Sequence, residues 1–149
     1  MLRGSFTASI DDKGRLRIPA VYKRYLEENY AGAADFYMTS VTGESALIYP
    51  LREWEIIEAK LMAVASQDPV KKKYLDRTNY FGNEQKMDAQ GRILIPPMLR
   101  GQAGLLGEAL VFGMLNYLEV WRAESFRALR LDAQPWMDDD AEKLARLGV

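Results

Sequence analysis

The chain has 149 residues, 48% of them hydrophobic, with no cysteine and no histidine. That length can bury the core of one ordinary domain or two small ones, while the missing residues exclude disulfide frameworks, Cys/His zinc sites, Ser-His-Asp triads, Cys-His dyads and a histidine general base. The formal net charge of −1 argues, taken whole, against a polyanionic partner, but residues 1–24 carry six Lys/Arg against two Asp/Glu and residues 71–100 seven against three.

In chain order, Ser5 to Ile10 alternates large and small, as a half-buried strand does. Asp11 to Gly14 has Asp first and Gly fourth, the type I turn preference, and Gly14 can take the left-handed conformation that closes a hairpin. Arg15-Leu16-Arg17-Ile18 alternates strictly, which predicts both arginines on one face and Leu16 and Ile18 in the core. Pro19 ends that strand and opens a helix with Val21, Tyr22, Tyr25 and Leu26 inward. Strands are expected at 35–39 and 46–49. An amphipathic helix over 51–66 then carries Leu51, Trp54, Ile57, Leu61, Met62 and Ala65 inward. Asp68 caps a further helix with Pro69 in its first turn, holding Lys71-Lys72-Lys73 and ending near Asn79. The order then recurs: strand 83–87, turn Asp88 to Gly91, strand 92–95, short helix 98–102, strands near 108–114 and 117–122, and a helix from 123. In the tail, Asp138-Asp139-Asp140 are expected to cap a last short helix.

The second series repeats the first in residues as well as in order. Asp11-Asp12-Lys13-Gly14-Arg15-Leu16-Arg17-Ile18-Pro19 is echoed 77 positions later by Asp88-Ala89-Gln90-Gly91-Arg92-Ile93-Leu94-Ile95-Pro96. Ala46-Leu47-Ile48-Tyr49 is matched by Leu118-Glu119-Val120-Trp121. Two similar half-units follow: residues 1–66, a connecting helix 67–79, residues 80–131, and a tail 132–149. Both basic segments coincide with the repeated motif, and a phosphate-binding face needs local positive charge rather than a basic whole.

On these residues the chain resembles the MraZ family. The matches are Arg3-Gly4-Ser5, Asp11-x-Lys13-Gly14-Arg15-x-x-Ile18-Pro19 and Asp88-x-Gln90-Gly91-Arg92-Ile93-Leu94-Ile95-Pro96, and they cover roughly residues 1–130. The resemblance implies an α+β fold of two tandem AbrB/SpoVT-like swapped-hairpin units. It also implies assembly into rings and binding to short G-rich repeats upstream of the protein's own operon, one of cell-wall synthesis and division functions. The expected activity is transcriptional regulation, with repression by promoter occupancy the simpler form. Asp11, Arg15, Asp88 and Arg92 fall on the family's Asp-x-x-x-Arg positions.

The residues add their own argument. Arginine reads guanine because its planar fork can bond O6 and N7 together in the major groove, which also admits a two-stranded ribbon. Arg15 and Arg17, beside a tight turn, suit that role, the alternative for Arg15 being a structural ion pair with an acid of its own or a neighbouring subunit; Lys13 at the tip and Arg3 suit phosphate. Asp11 is repelled by phosphate, so it is expected to shape the turn by accepting backbone N–H bonds or to hold Arg15, with a direct cytosine contact as the alternative; with Asp88 it is counted among the candidate DNA-binding residues. The second copy is less charged, with Leu94, Ala89 and Gln90 where the first has Arg17, Asp12 and Lys13. Either both loops bind DNA with unequal contacts, or the first binds while the second packs against neighbours. Lys71–Lys73 read as a solvated helix face, with further phosphate contacts as the alternative. Many weak sites on one oligomer would bind repeated boxes tightly by avidity.

No cofactor, metal, small-molecule substrate or membrane is expected. No apolar run approaches the ~20 residues of a span, and Met1 to Phe6 lacks the apolar core of a secretion signal. Cytoplasmic, nucleoid-associated double-stranded DNA is the expected partner, besides other copies of the chain. Catalysis is not expected, since Asp11 and Asp12 sit together in a turn rather than across a cleft. The alternative is a non-catalytic adaptor oligomer whose aromatics, Trp54, Tyr74, Phe81 and Phe126, bind partner proteins.

Overall fold

The computed structural model describes residues 1–31 and 34–149. The first half runs β1 (Ser5–Ile10), β2 (Arg15–Arg17), α1 (Ala20–Asn29), β3 (Asp35–Thr39), β4 (Ala46–Pro50), α2 (Leu51–Met62) and α3 (Pro69–Tyr80). The second runs β5 (Asn83–Lys86), β6 (Arg92–Leu94), α4 (Pro97–Ala103), β7 (Gly107–Gly113), β8 (Leu118–Trp121) and α5 (Ala123–Phe126). A wider π-helical stretch, Arg127–Asp132, extends α5, and α6 (Asp138–Arg146) follows.

Among the described residues eight strands join one sheet in the order β5-β3-β4-β8-β7-β1-β2-β6, with their pairings antiparallel. The strands at the two ends of that order, β5 and β6, are joined by the second tight turn, so the sheet curls into a nearly closed barrel. Strands of the two halves interleave. β1 pairs with β7 and β3 with β5, each across the halves.

Two seams are symmetric. At one, β2 meets β6 with Leu16 opposite Ile93; at the other, β4 meets β8 with Leu47 opposite Glu119. A pseudo-two-fold axis passes through both. Each hairpin is completed by the other: the N–H of Ile18 donates to the Gly91 carbonyl and that of Ile95 to the Gly14 carbonyl, both at 2.9 Å. This is a tandem pair of swapped-hairpin half-units of the α+β class.

Alternation places Leu16 of β2 and Ile93 of β6 inside, with Ile18 and Ile95 just beyond those strands, while Leu94 faces out. Leu16, Ile93 and Ile95 are fully buried in the core, with Ile18 nearly so, beside Tyr22, Leu26, Phe36, Met38 and Leu99. Deleting one such side chain costs about 2–5 kcal/mol. Pro19 and Pro96 stand at the N-caps of α1 and α4, where a residue without an N–H leaves no donor unpaired. Asp68 caps α3, accepting from the N–H of Val70 and of Lys71.

Some expectations fail on the helices. Val21 is 57% exposed and points outward, because Tyr22 and Leu26, four apart, define the buried stripe of α1. α2 ends at Met62 rather than 66; Met62 is 81% exposed and Ala65 lies in the exposed connection. Only Trp54 of α2 is buried, so the helix rests on the barrel by its first turns while its end stands free. The last helix does open on Asp138, Asp139 and Asp140, with the Asp140 carboxylate accepting from the Met137 N–H at 2.9 Å.

The aromatics behave mainly as packing groups. Trp54 stacks on Tyr37 at 4.6 Å, with Tyr74 beyond it at 6.4 Å, and Phe126 packs on Phe112 and Trp121. Burial pushes the Tyr49 phenol well up and, with the Glu53 carboxylate that accepts its hydrogen bond, raises Tyr30 to about 12.

Candidate nucleic-acid interface

The two tight turns have the same internal wiring. Asp11 Oδ1 accepts from the backbone N–H of Lys13 at 3.0 Å and of Arg15 at 2.9 Å; Asp88 Oδ1 accepts from Gln90 and Arg92, each at 2.9 Å. The N–H of Gly14 closes on the Asp11 carbonyl and that of Gly91 on the Asp88 carbonyl. Both glycines are left-handed, with φ of 84° and 76°, which only glycine adopts without strain. The motif needs Asp first because a short carboxylate reaches the N–H groups two and four residues on.

The other carboxylate oxygen holds the arginine. Arg15 Nε donates to Asp11 Oδ2 at 2.7 Å and Arg92 Nε to Asp88 Oδ2 at 2.9 Å. A guanidinium gripped at Nε is oriented, and its two terminal nitrogens stay available as a fork. Arg15 and Arg92 are partly exposed, as are their aspartates. Both carboxyls sit below the ordinary aspartate range. The first cause is the backbone N–H of Arg15 or of Arg92, followed by the side-chain bond and charge of the same residue, against a partial desolvation that opposes them.

The β2–β6 seam brings the turns together. Across it Arg15 stands opposite Leu94 and Arg17 opposite Arg92. Arg17 Nη1 donates to the Gln90 carbonyl at 3.1 Å, tying the first half's ribbon to the second half's tip, and Arg92 Nη1 lies 3.9 Å from Asp11 Oδ2. Asp11, Lys13, Arg15, Arg17, Asp88 and Arg92 thus share one edge of the barrel. Arg3 does not join them. It stands at the far end of β1, about 17 Å of strand away, where its carbonyl accepts from the Tyr22 hydroxyl at 3.1 Å.

Sequence reasoning missed two cations of this edge. The side chain of Arg100, from α4, lies over Gly14, and that of Lys23, from α1, lies over Gly91; a Cβ on either glycine would meet them at 2.3 and 3.0 Å. Each turn is therefore roofed by a cation from the opposite half. Arg100 donates from Nε to the Ile95 carbonyl at 2.8 Å and has no ion-pair partner among the described residues. The 77-residue offset that aligns the turns also aligns Lys23 with Arg100, and that was the available signal. A cleft of about 400 Å³ beside the turns has Arg17, Lys23, Gln90 and Ser9 in its wall.

Chemically, the edge offers guanidinium forks held at fixed angles beside flexible cations. Such a set suits paired acceptors and phosphate oxygens. The described residues include no cluster of three or more acidic, His or Cys groups placed to hold a metal, and none of their helices is long and apolar enough to cross a membrane.

Interleaved half-units carrying paired Asp-x-x-x-Arg turns at a shared edge define a tandem swapped-hairpin protein. Comparison narrows that class. The family profile described as "MraZ protein, putative antitoxin-like" matches residues 1–77 and 82–147. Proteins named Transcriptional regulator MraZ are 44% identical in Acidobacterium capsulatum and 42% in Koribacter versatilis, each over 149 residues and the full length of both chains. That of Escherichia coli K12 is 38% identical, covering 97% of this chain and 91% of its own. The chain belongs to the MraZ family.

Proposed function

We propose that the protein is a DNA-binding transcriptional regulator of its own cell-division and cell-wall operon. In this reading it occupies short, repeated G-rich boxes upstream of that operon as a homo-oligomeric ring, in the cytoplasm and on the nucleoid, without cofactor or catalytic activity. The observation that carries the reading is the pair of identically wired turns on one barrel edge, each presenting an arginine fork held by its own aspartate. Arg15 and Arg92 read purine edges; Lys13 meets phosphate. Arg17 helps to hold the second tip and adds charge. Asp11 and Asp88 orient their arginines without touching DNA. Arg3 contributes at most a remote phosphate contact. The relatives named as transcriptional regulators along their full length support the same reading. Residues 1–66 and 80–131 act as structural repeats of one unit, joined by 67–79, with 132–149 as a tail outside the barrel.

The test is binding of wild type and Arg15→Ala to the DNA upstream of the gene, over a salt series, with light scattering to follow assembly. The expected result is unchanged assembly and loss of sequence-specific binding. Wild-type protein that assembles but prefers this DNA no more than random sequence would overturn the reading in favour of an adaptor oligomer.

A further inference from the structure

An open apolar groove of about 470 Å³ lies between α2 and α3, walled by Ile57, Leu61, Val64, Val70 and Tyr74. Val70 is 70% exposed. Lys60 and Lys71 also line it, with Asp68, whose carboxylate accepts from the Val70 and Lys71 N–H groups of its own helix, and Lys72 and Lys73 follow on α3. At the other end of the chain, α6 buries no residue. Trp136 and Met137 precede it, Leu144 and Leu147 continue its apolar side, and all four are exposed. Its first turn carries Asp138, Asp139 and Asp140.

The pseudo-symmetry makes the contrast sharper. α6 follows the β8–α5 segment as α3 follows β4–α2. α3 is bound to the barrel, since the Tyr37 and Thr39 hydroxyls donate to its Thr78 carbonyl at 2.9 and 2.7 Å. The polar contacts of α6 among the described residues stay within its own segment, as in Lys143 with Asp139. No residue of α6 lines the groove of its own chain.

We propose that α6 of one copy docks in the α2–α3 groove of the next copy. This rests on the homo-oligomeric part of the function proposed above. The fit is one of shape, since an amphipathic helix laid in an apolar groove is a recurring mode of recognition. It is also one of charge, because the acidic first turn of α6 meets the lysines of the groove. The contact is heterologous, a different patch on each copy, so its repetition generates a closed ring or an open filament rather than a two-fold dimer.

The chain has no cysteine, so introduced pairs report without background. Val70→Cys protein is mixed with Leu144→Cys protein and treated with a short bismaleimide. The expected product is a covalent heterodimer, with a ladder of higher species from the double variant. Assembly by light scattering without such cross-links overturns the docking and leaves the ring reading standing. A bridge within one chain overturns it as well, and wild type that stays monomeric overturns both. As a second measurement, Leu144→Glu with Leu147→Glu changes only exposed side chains. It should weaken association at least tenfold while circular dichroism and binding to a single DNA box stay unchanged. Undiminished assembly of the variant overturns the docking; no preference of wild type for that DNA instead removes the regulator reading and leaves the docking standing.

Discussion

The first and second turns share a backbone and differ at their tips. Both have Asp, Gly and Arg at matching positions, the same aspartate bonds and a cation overhead. Yet Lys13 and Arg17 of the first are Gln90 and Leu94 in the second, and Leu94 is 39% exposed on the face where Arg17 stands. The scaffold tolerates this because none of those side chains points into the core; the shared residues are the ones that make the turn. Shape is thus held equal in the two halves while charge is free to diverge.

The comparison breaks most visibly with the arginines. Arg15→Ala should abolish specific DNA binding, whereas Arg92→Ala should weaken it by about 1–3 kcal/mol, the scale of one bidentate base contact. Equal losses, measured by titration at fixed salt, would mean that both tips read DNA alike. Next in size, Leu16→Ala and Ile93→Ala should each lower stability by about 2–5 kcal/mol, and by similar amounts, because the two residues face each other on the axis and are both fully buried. Denaturant melts that differ widely would show the seam to be asymmetric.

Smaller effects test the turns. Gly14→Ala and Gly91→Ala should cost about 1–2 kcal/mol each through the left-handed backbone, with Gly14 the worse because the Arg100 side chain must also move. The smallest concerns pH. Both turn aspartates are held below their ordinary range in the fold, so their contribution is complete above the unfolded aspartate pKa of ~3.9 and is lost only as pH falls through the lower folded values. Stability should therefore show no loss from these groups between pH 8 and 5, and Asp11→Asn and Asp88→Asn should each flatten the acid limb. A midpoint near pH 6 that vanished in either variant would contradict this account.

The turns and the strands beside them could be read from the sequence because their signals are local: a carboxylate at one end, a glycine at the other, then strict alternation. The symmetric seams could not, since Leu16 against Ile93 and Leu47 against Glu119 are contacts between distant parts of the chain. For the same reason Lys23 and Arg100 escaped notice; each sits over the turn that its own half does not contain. The apolar spacing through 51–66 was misleading, because it marks a stripe whose end faces a groove open to solvent rather than the core.

Glu119 has a consequence of its own. It is buried at the second seam, accepting from Ser45, from the Trp121 indole at 2.6 Å and from Arg130, while its counterpart across the axis is Leu47. Two second halves joined at that seam would set two buried carboxylates face to face, with like charges opposed in a low dielectric. Two first halves would leave both carboxylates out altogether. A single acidic side chain thus works as a polarity key against the pairing of two second halves: opposite Leu47 its charge faces no second carboxylate.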